Sequence, residues 1–205
     1  MPDTITSFWK WFEENNHAFL FTNDVDEEVR EQLLSDFQDE LHKYNDKLYF
    51  LIGGLPNGDQ ELIITAEGDV EQFESVEELV SQAPTIKNWI FIAFIQPIDE
   101  DNTVGYQDVE ITRSELWFMP LQSSSAPSSI GIKVGVPGYD SLDKNSADNA
   151  VYKMLDTVLG EKSFAQDIDY LDIGELPENP EEKGMIELAE LPAFVAWKKK
   201  KLAGN

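Results

Sequence analysis

Apolar positions along this chain change their period several times, and each change marks an element. Ile5, Phe8, Trp9 and Phe12 fall at i, i+3, i+4 and i+7, which predicts a helix over residues 5–16 with Thr4 or Thr6 as cap and Asn15-Asn16 as stop. Trp11 lies off that stripe. The aromatics clustered here suit either a binding platform or a core anchor, and the anchor is favoured because a helix docking on a sheet needs the same side chains. A second helix is predicted from about Val25 to Tyr44, with Asp24 as cap and Glu27 three residues on. Its apolar stripe is Val25, Val29, Leu33, Phe37 and Leu41, joined by Leu34 and Tyr44, and its other face is polar.

From residue 47 the period shortens. Leu48 to Ile52 and Leu62 to Ala66 read as strands joined through a Gly/Pro/Asn-Gly loop at 53–59, hence as antiparallel neighbours. A helix follows with Ser75 as cap and Val76, Leu79, Val80 and Ala83 as its apolar face, ending at Pro84. The run from Trp89 to Ile95 is apolar at every position, which suits a strand covered on both faces and makes it the candidate centre of the sheet.

The order strand, strand, helix, strand then returns. Leu116 to Met119 and Ile130 to Val136 are the strands, separated by a Ser/Pro-rich loop at 122–129. In the second of them Ile130, Ile132, Val134 and Val136 share one face, while Gly131, Lys133 and Gly135 leave the other nearly bare for the close approach of a backbone, a side chain or a ligand. Val151, Met154, Leu155, Val158 and Leu159 give a helix capped at Asn145-Ser146 and stopped by Gly160. Residues 166–176 predict a weak or edge strand, whose Asp167, Asp169 and Asp172 are read as guards against edge pairing rather than as catalytic groups. A terminal helix starts near Leu191-Pro192, with Lys198 to Lys201 at its positive-tolerant end or drawn to the chain's own acidic surface.

These elements predict an α+β fold: two N-terminal helices, then two β-β-α-β units at 47–96 and 116–176 forming a mixed or antiparallel sheet of six or seven strands with helices packed on it, and a C-terminal helix. The whole is read as a single domain over 1–205 with an internal pseudo-repeat.

Charge changes the functional picture most. Forty acidic against fifteen basic side chains give −25, a field that repels nucleic acid and anionic membrane. No apolar run approaches the roughly 20 residues of a membrane span, and no basic segment followed by an apolar core opens the chain, so a cytoplasmic protein is expected. Zero cysteines remove disulfides, thiolate metal sites and cysteine nucleophiles, and only His17 and His42 remain as imidazoles. No cofactor and no metal are therefore expected. The passage from Pro97 to Gly105 fits a calcium loop only in part: Asp99, Asp101 and Glu110 fall at positions one, three and twelve, but Thr103 and Val104 stand where a further oxygen ligand and a glycine are needed, so it reads as an exposed acidic loop.

The segments Glu61 to Gly68 (ELIITAEG), Ala83-Pro84 with Trp89, Leu155-Asp156 to Gly160-Glu161, and Leu191-Pro192 before Trp197 resemble those of a bacterial domain-of-unknown-function family. The resemblance implies a bacterial cytosolic α+β protein and carries no activity or catalytic residue with it. From the residues themselves, the expected function is a non-enzymatic acidic protein that docks a basic protein partner in an immunity-like manner. The alternatives are a small-molecule-binding or carboxylate-based hydrolytic domain, and a polyanion mimic. The binding candidates are Glu67 and Asp69 at a strand-to-helix connection, and Asp99, Glu100 and Asp101 in the acidic loop.

Overall fold

A computed structural model describes residues 4–20, 22, 25–54, 58–122, 125–126 and 128–203. The proposed cap Asp24, the tip of the first hairpin loop (55–57) and parts of the Ser/Pro-rich loop (123–124 and 127) lie outside the described residues. The fold is α+β, with helices at both ends, and it divides into two compact units, residues 1–95 and 96–205.

In the first unit α1 (Thr4–Asn15) and α2 (Glu27–His42) precede β1 (Tyr49–Gly54), β2 (Gln60–Thr65), α3 (Phe73–Ser81) and β3 (Trp89–Ala93). The α1 stripe buries as its period predicts, with Ile5, Phe8, Trp9 and Phe12 all inside. Phe37 of α2 lies at the centre of an aromatic cluster, touching Phe8, Trp11, Phe12, Phe19 and Phe50 at centroid distances of 4.0–5.9 Å. The α2 stripe is buried only in its C-terminal half: Phe37 and Leu41 are inside, whereas Val29 is 47% exposed. Its N-cap is Asp26. α3 also starts earlier than its Ser75 signal, because a 3-10 turn at Val70–Gln72, capped by Asp69, leads straight into it.

β1 pairs antiparallel with β2, and β3 pairs parallel with β2 on the other side, giving the order β1-β2-β3. The expected centre of the sheet at Trp89 to Ile95 is thus corrected: among the described strands β3 is at the edge. The hairpin gives one side of β2 to β1, and the α3 crossover leaves β3 only the opposite side. Phe50, Phe91 and Trp89 face the helices, in contact with Phe37, Trp9 and Phe12.

The second unit opens with a hairpin, β4 (Thr103–Tyr106) and β5 (Val109–Thr112), turning at Gln107 with φ +52°. β6 (Trp117–Leu121) and β7 (Gly131–Val136) pair antiparallel, α4 (Lys144–Leu159) follows, and β8 (Tyr170–Glu175) joins β7 in parallel. The strand pairings of β1, β2 and β3, antiparallel and then parallel across a helix, thus recur in β6, β7 and β8. α4 is capped by Asp143, just before the expected Asn145-Ser146, with Asp143 accepting from Ser146 N at 2.9 Å and Oγ at 2.8 Å. Gly160, at φ +78°, ends it and lets a separate short helix, α5 (Glu161–Asp167), start at once, so the strand expected from 166 begins only at 170. A two-residue strand, β9 (Ile186–Glu187), completes the order β8-β7-β6-β9, and α6 (Leu191–Ala203) ends the described fold. Among the described residues three separately hydrogen-bonded sheets take the place of the single one expected.

β8 is an edge, and the three acids expected to guard it each bind within the unit. Asp172 pairs with Lys133 at 2.9 Å, Asp169 accepts from Ile130 N at 2.7 Å, and Asp167, at the end of α5, holds Lys199 of α6 at 2.8 Å. The bare face of β7 is used at Gly135, where a Cβ would stand 2.8 Å from both Leu176 and Met185. The chain's own side chains fill that gap. Among the described residues no helix is long and apolar enough to cross a membrane.

Candidate functional site

The two groups of acids proposed from the sequence meet different fates. Glu67 is exposed in a turn with φ +48°, its N–H donating to Thr65 Oγ1 at 3.0 Å, and Asp69 accepts from Glu71 N at 3.1 Å as the cap of the 3-10 turn. Both shape the β2–α3 connection, and neither lines the recesses described next.

Asp99 and Asp101 border a recess of about 340 Å³ in the second unit, together with Arg113, Ser114, Glu187 and Ala189. Its walls come from three stretches held by backbone bonds. The 98–102 loop is pinned to α4 through Ile98 N to Thr157 O (2.7 Å) and Asn102 Nδ2 to Thr157 Oγ1 (3.1 Å). The 3-10 turn Arg113–Glu115, which follows β5, is tied to that loop by Arg113 N to Asn102 O at 3.0 Å. β9 pairs with β6, and Leu188 N reaches Leu116 O at 2.9 Å, which brings Glu187 and Ala189 to the third side.

Arg113 is the residue these stretches share, and it was missed from the sequence. It is one of only two arginines in the chain, and it is buried. Its Nη1 donates to Ile98 O at 2.6 Å and to Glu100 O at 3.5 Å, and its Nη2 donates to Ala189 O at 3.4 Å, while Nε is buried with no acceptor among the described residues. A guanidinium presents a rigid fork of donors, so one side chain can gather carbonyls from both ends of the unit. No local signal marks such a residue, because its acceptors are backbone atoms distant in sequence.

The carboxylates divide by role. Asp101 is committed, accepting from Ser114 N at 3.0 Å and from Ser114 Oγ at 2.8 Å. Glu100 contributes its carbonyl to Arg113 while its exposed side chain lies outside the recess lining. Asp99 and Glu187 are exposed and have no hydrogen-bond or ion-pair partner among the described residues. Two free acceptors beside one committed carboxylate make a place where an ammonium or guanidinium from outside gains charge-assisted hydrogen bonds. Asp99 also borders a neighbouring recess of about 240 Å³, floored by Val158, Leu159, Pro192 and Val195 and edged by the Asp167–Lys199 pair. Among the described residues no group of three or more His, Asp or Glu side chains is arranged to hold a metal ion.

No family model, curated protein or solved structure matches this chain.

Proposed function

We propose that this protein is a non-enzymatic, acidic binding protein of the cytoplasm that docks a basic protein partner, receiving a lysine or arginine side chain between Asp99 and Glu187. The observation that carries the reading is the pair of unpartnered carboxylates at the rim of a recess whose buried framework, Arg113 with its three carbonyls, is already satisfied at both Nη atoms. A charge of −25 supports it at longer range, since such a field speeds the approach of a cationic partner and turns away polyanions. A chain without cysteine needs nothing from an oxidising compartment.

Calorimetric titration with an arginine/lysine peptide tests the reading. The expected result is saturable binding at low salt that weakens as salt rises, and about tenfold weaker binding for the Asp99→Asn, Glu187→Gln double variant. A control removing the same charge elsewhere, Glu27→Gln with Glu28→Gln, loses much less. If the two double variants bind alike, the recess has no special part and only the overall field remains.

A further inference from the structure

The register of the first unit places Leu51, Ile63 and Ile92 side by side across all three strands, on the face opposite Phe50, Phe91 and the helices. Tyr49 of β1 and Ile90 of β3 lie on the same face by the two-residue alternation. Leu51, Ile90 and Tyr49 are 47%, 45% and 41% exposed, and Ile63 and Ile92 are half-buried. β3 is apolar on both faces, a pattern of strands that are covered twice, yet α1 and α3 cover it once. A contiguous apolar patch of this kind on a strongly charged protein marks an interaction surface.

Charge identifies the occupant. Within the face the central strand carries Glu61, opposite Ile90, and the flanking sequence adds Asp59 and Glu67 against Lys47 and Lys87. A second copy of this chain brings the same acids and another −25 to the contact, which like-charge repulsion opposes. We infer that the open β1-β2-β3 face docks a protein partner whose contact surface is apolar at its centre and rich in lysine or arginine at its rim. Leu51, Ile63 and Ile92 supply the desolvated centre, and Glu61 pairs with a rim cation. This surface goes beyond the recess reading, because it rests on the first unit's register alone.

The test uses the full chain and two synthetic peptides, an amphipathic one of leucine and lysine and a lysine-only one of equal charge, with affinity read by fluorescence anisotropy. The amphipathic peptide is expected to bind about tenfold tighter than the lysine-only peptide, and about tenfold weaker to Leu51→Glu or Ile90→Glu. Leu51→Thr, which keeps a strand-favouring side chain, gives a smaller loss in the same direction if either glutamate variant fails to fold. The loss caused by Leu51→Glu is the same in a background carrying Asp99→Asn and Glu187→Gln, which separates the face from the recess. Equal binding of the two peptides, or wild-type binding by the folded variants, overturns the proposal. So does a wild-type dimer in sedimentation that Leu51→Glu dissolves, since a copy then covers the face, or binding to neutral phosphatidylcholine vesicles that Leu51→Glu abolishes.

Discussion

At Arg113 the second unit holds a cation on carbonyl oxygens, with no carboxylate at ion-pair distance among the described residues. Arg113→Met keeps much of the stem's packing but leaves Ile98 O, Glu100 O and Ala189 O without this donor. It should cost about 1–3 kcal/mol, read as a lower midpoint in urea unfolding. Arg113→Lys should recover little of that, since a compact ammonium cannot span three acceptors. Tyr139 carries a second residue-scale expectation. Its buried hydroxyl donates to Asp148 Oδ1 at 2.7 Å, and that bond, then burial, then the nearby charges of Asp148, Asp172 and Asp140 push the phenol from 10.0 up to about 12. The neutral phenol is the form the fold prefers. Its contribution is therefore complete below pH 10 and is lost as pH rises toward 12, where the unfolded chain releases its proton first. Unfolding midpoints between pH 9 and 12 should fall more steeply for the wild type than for Tyr139→Phe.

Between α4 and α5 one glycine decides where two elements divide. Gly160 sits at φ +78°, ψ +144°, backbone that residues with a Cβ rarely adopt, while Phe164 N bonds back to its carbonyl at 2.9 Å. Gly160→Ala should cost about 1–3 kcal/mol, visible in thermal melts as a lower midpoint with the same cooperativity. This junction also illustrates what the sequence could and could not say. Long periodic elements such as α1 and α4, and the alternation of β7, were readable because burial of one face is written in residue spacing. α5, β4 and β9 were not: they have seven, four and two residues, too few to show a period, and β9 exists only because β6 offers it an edge. The candidate site divided along the same line. Asp99 and Asp101 were found as acids in an acidic loop, while Arg113 and Glu187 join them only through tertiary contacts.

Across the whole molecule, the two compact units each carry their own version of strand, strand, helix and parallel strand. A hydrophobic cluster running from Val109 to Val195 lies entirely within residues 96–205. That segment expressed alone should therefore give a cooperative thermal transition by circular dichroism, and a featureless melt would show that its core is insufficient. Net charge sets a further expectation: at −25 the folded chain repels itself, so its melting temperature should rise as sodium chloride is increased from millimolar to physiological levels, where screening acts over about 8 Å.

The carbonyls that Arg113 gathers also carry an implication in time. Ala189 lies 76 positions after Arg113, so at ordinary elongation rates the ribosome adds it roughly 4–15 s later. Throughout that interval water must solvate the guanidinium, and β6 waits without β9. The recess at Asp99 and Glu187 is therefore a late product of synthesis, and a nascent chain acquires it only when the segment leading into α6 arrives.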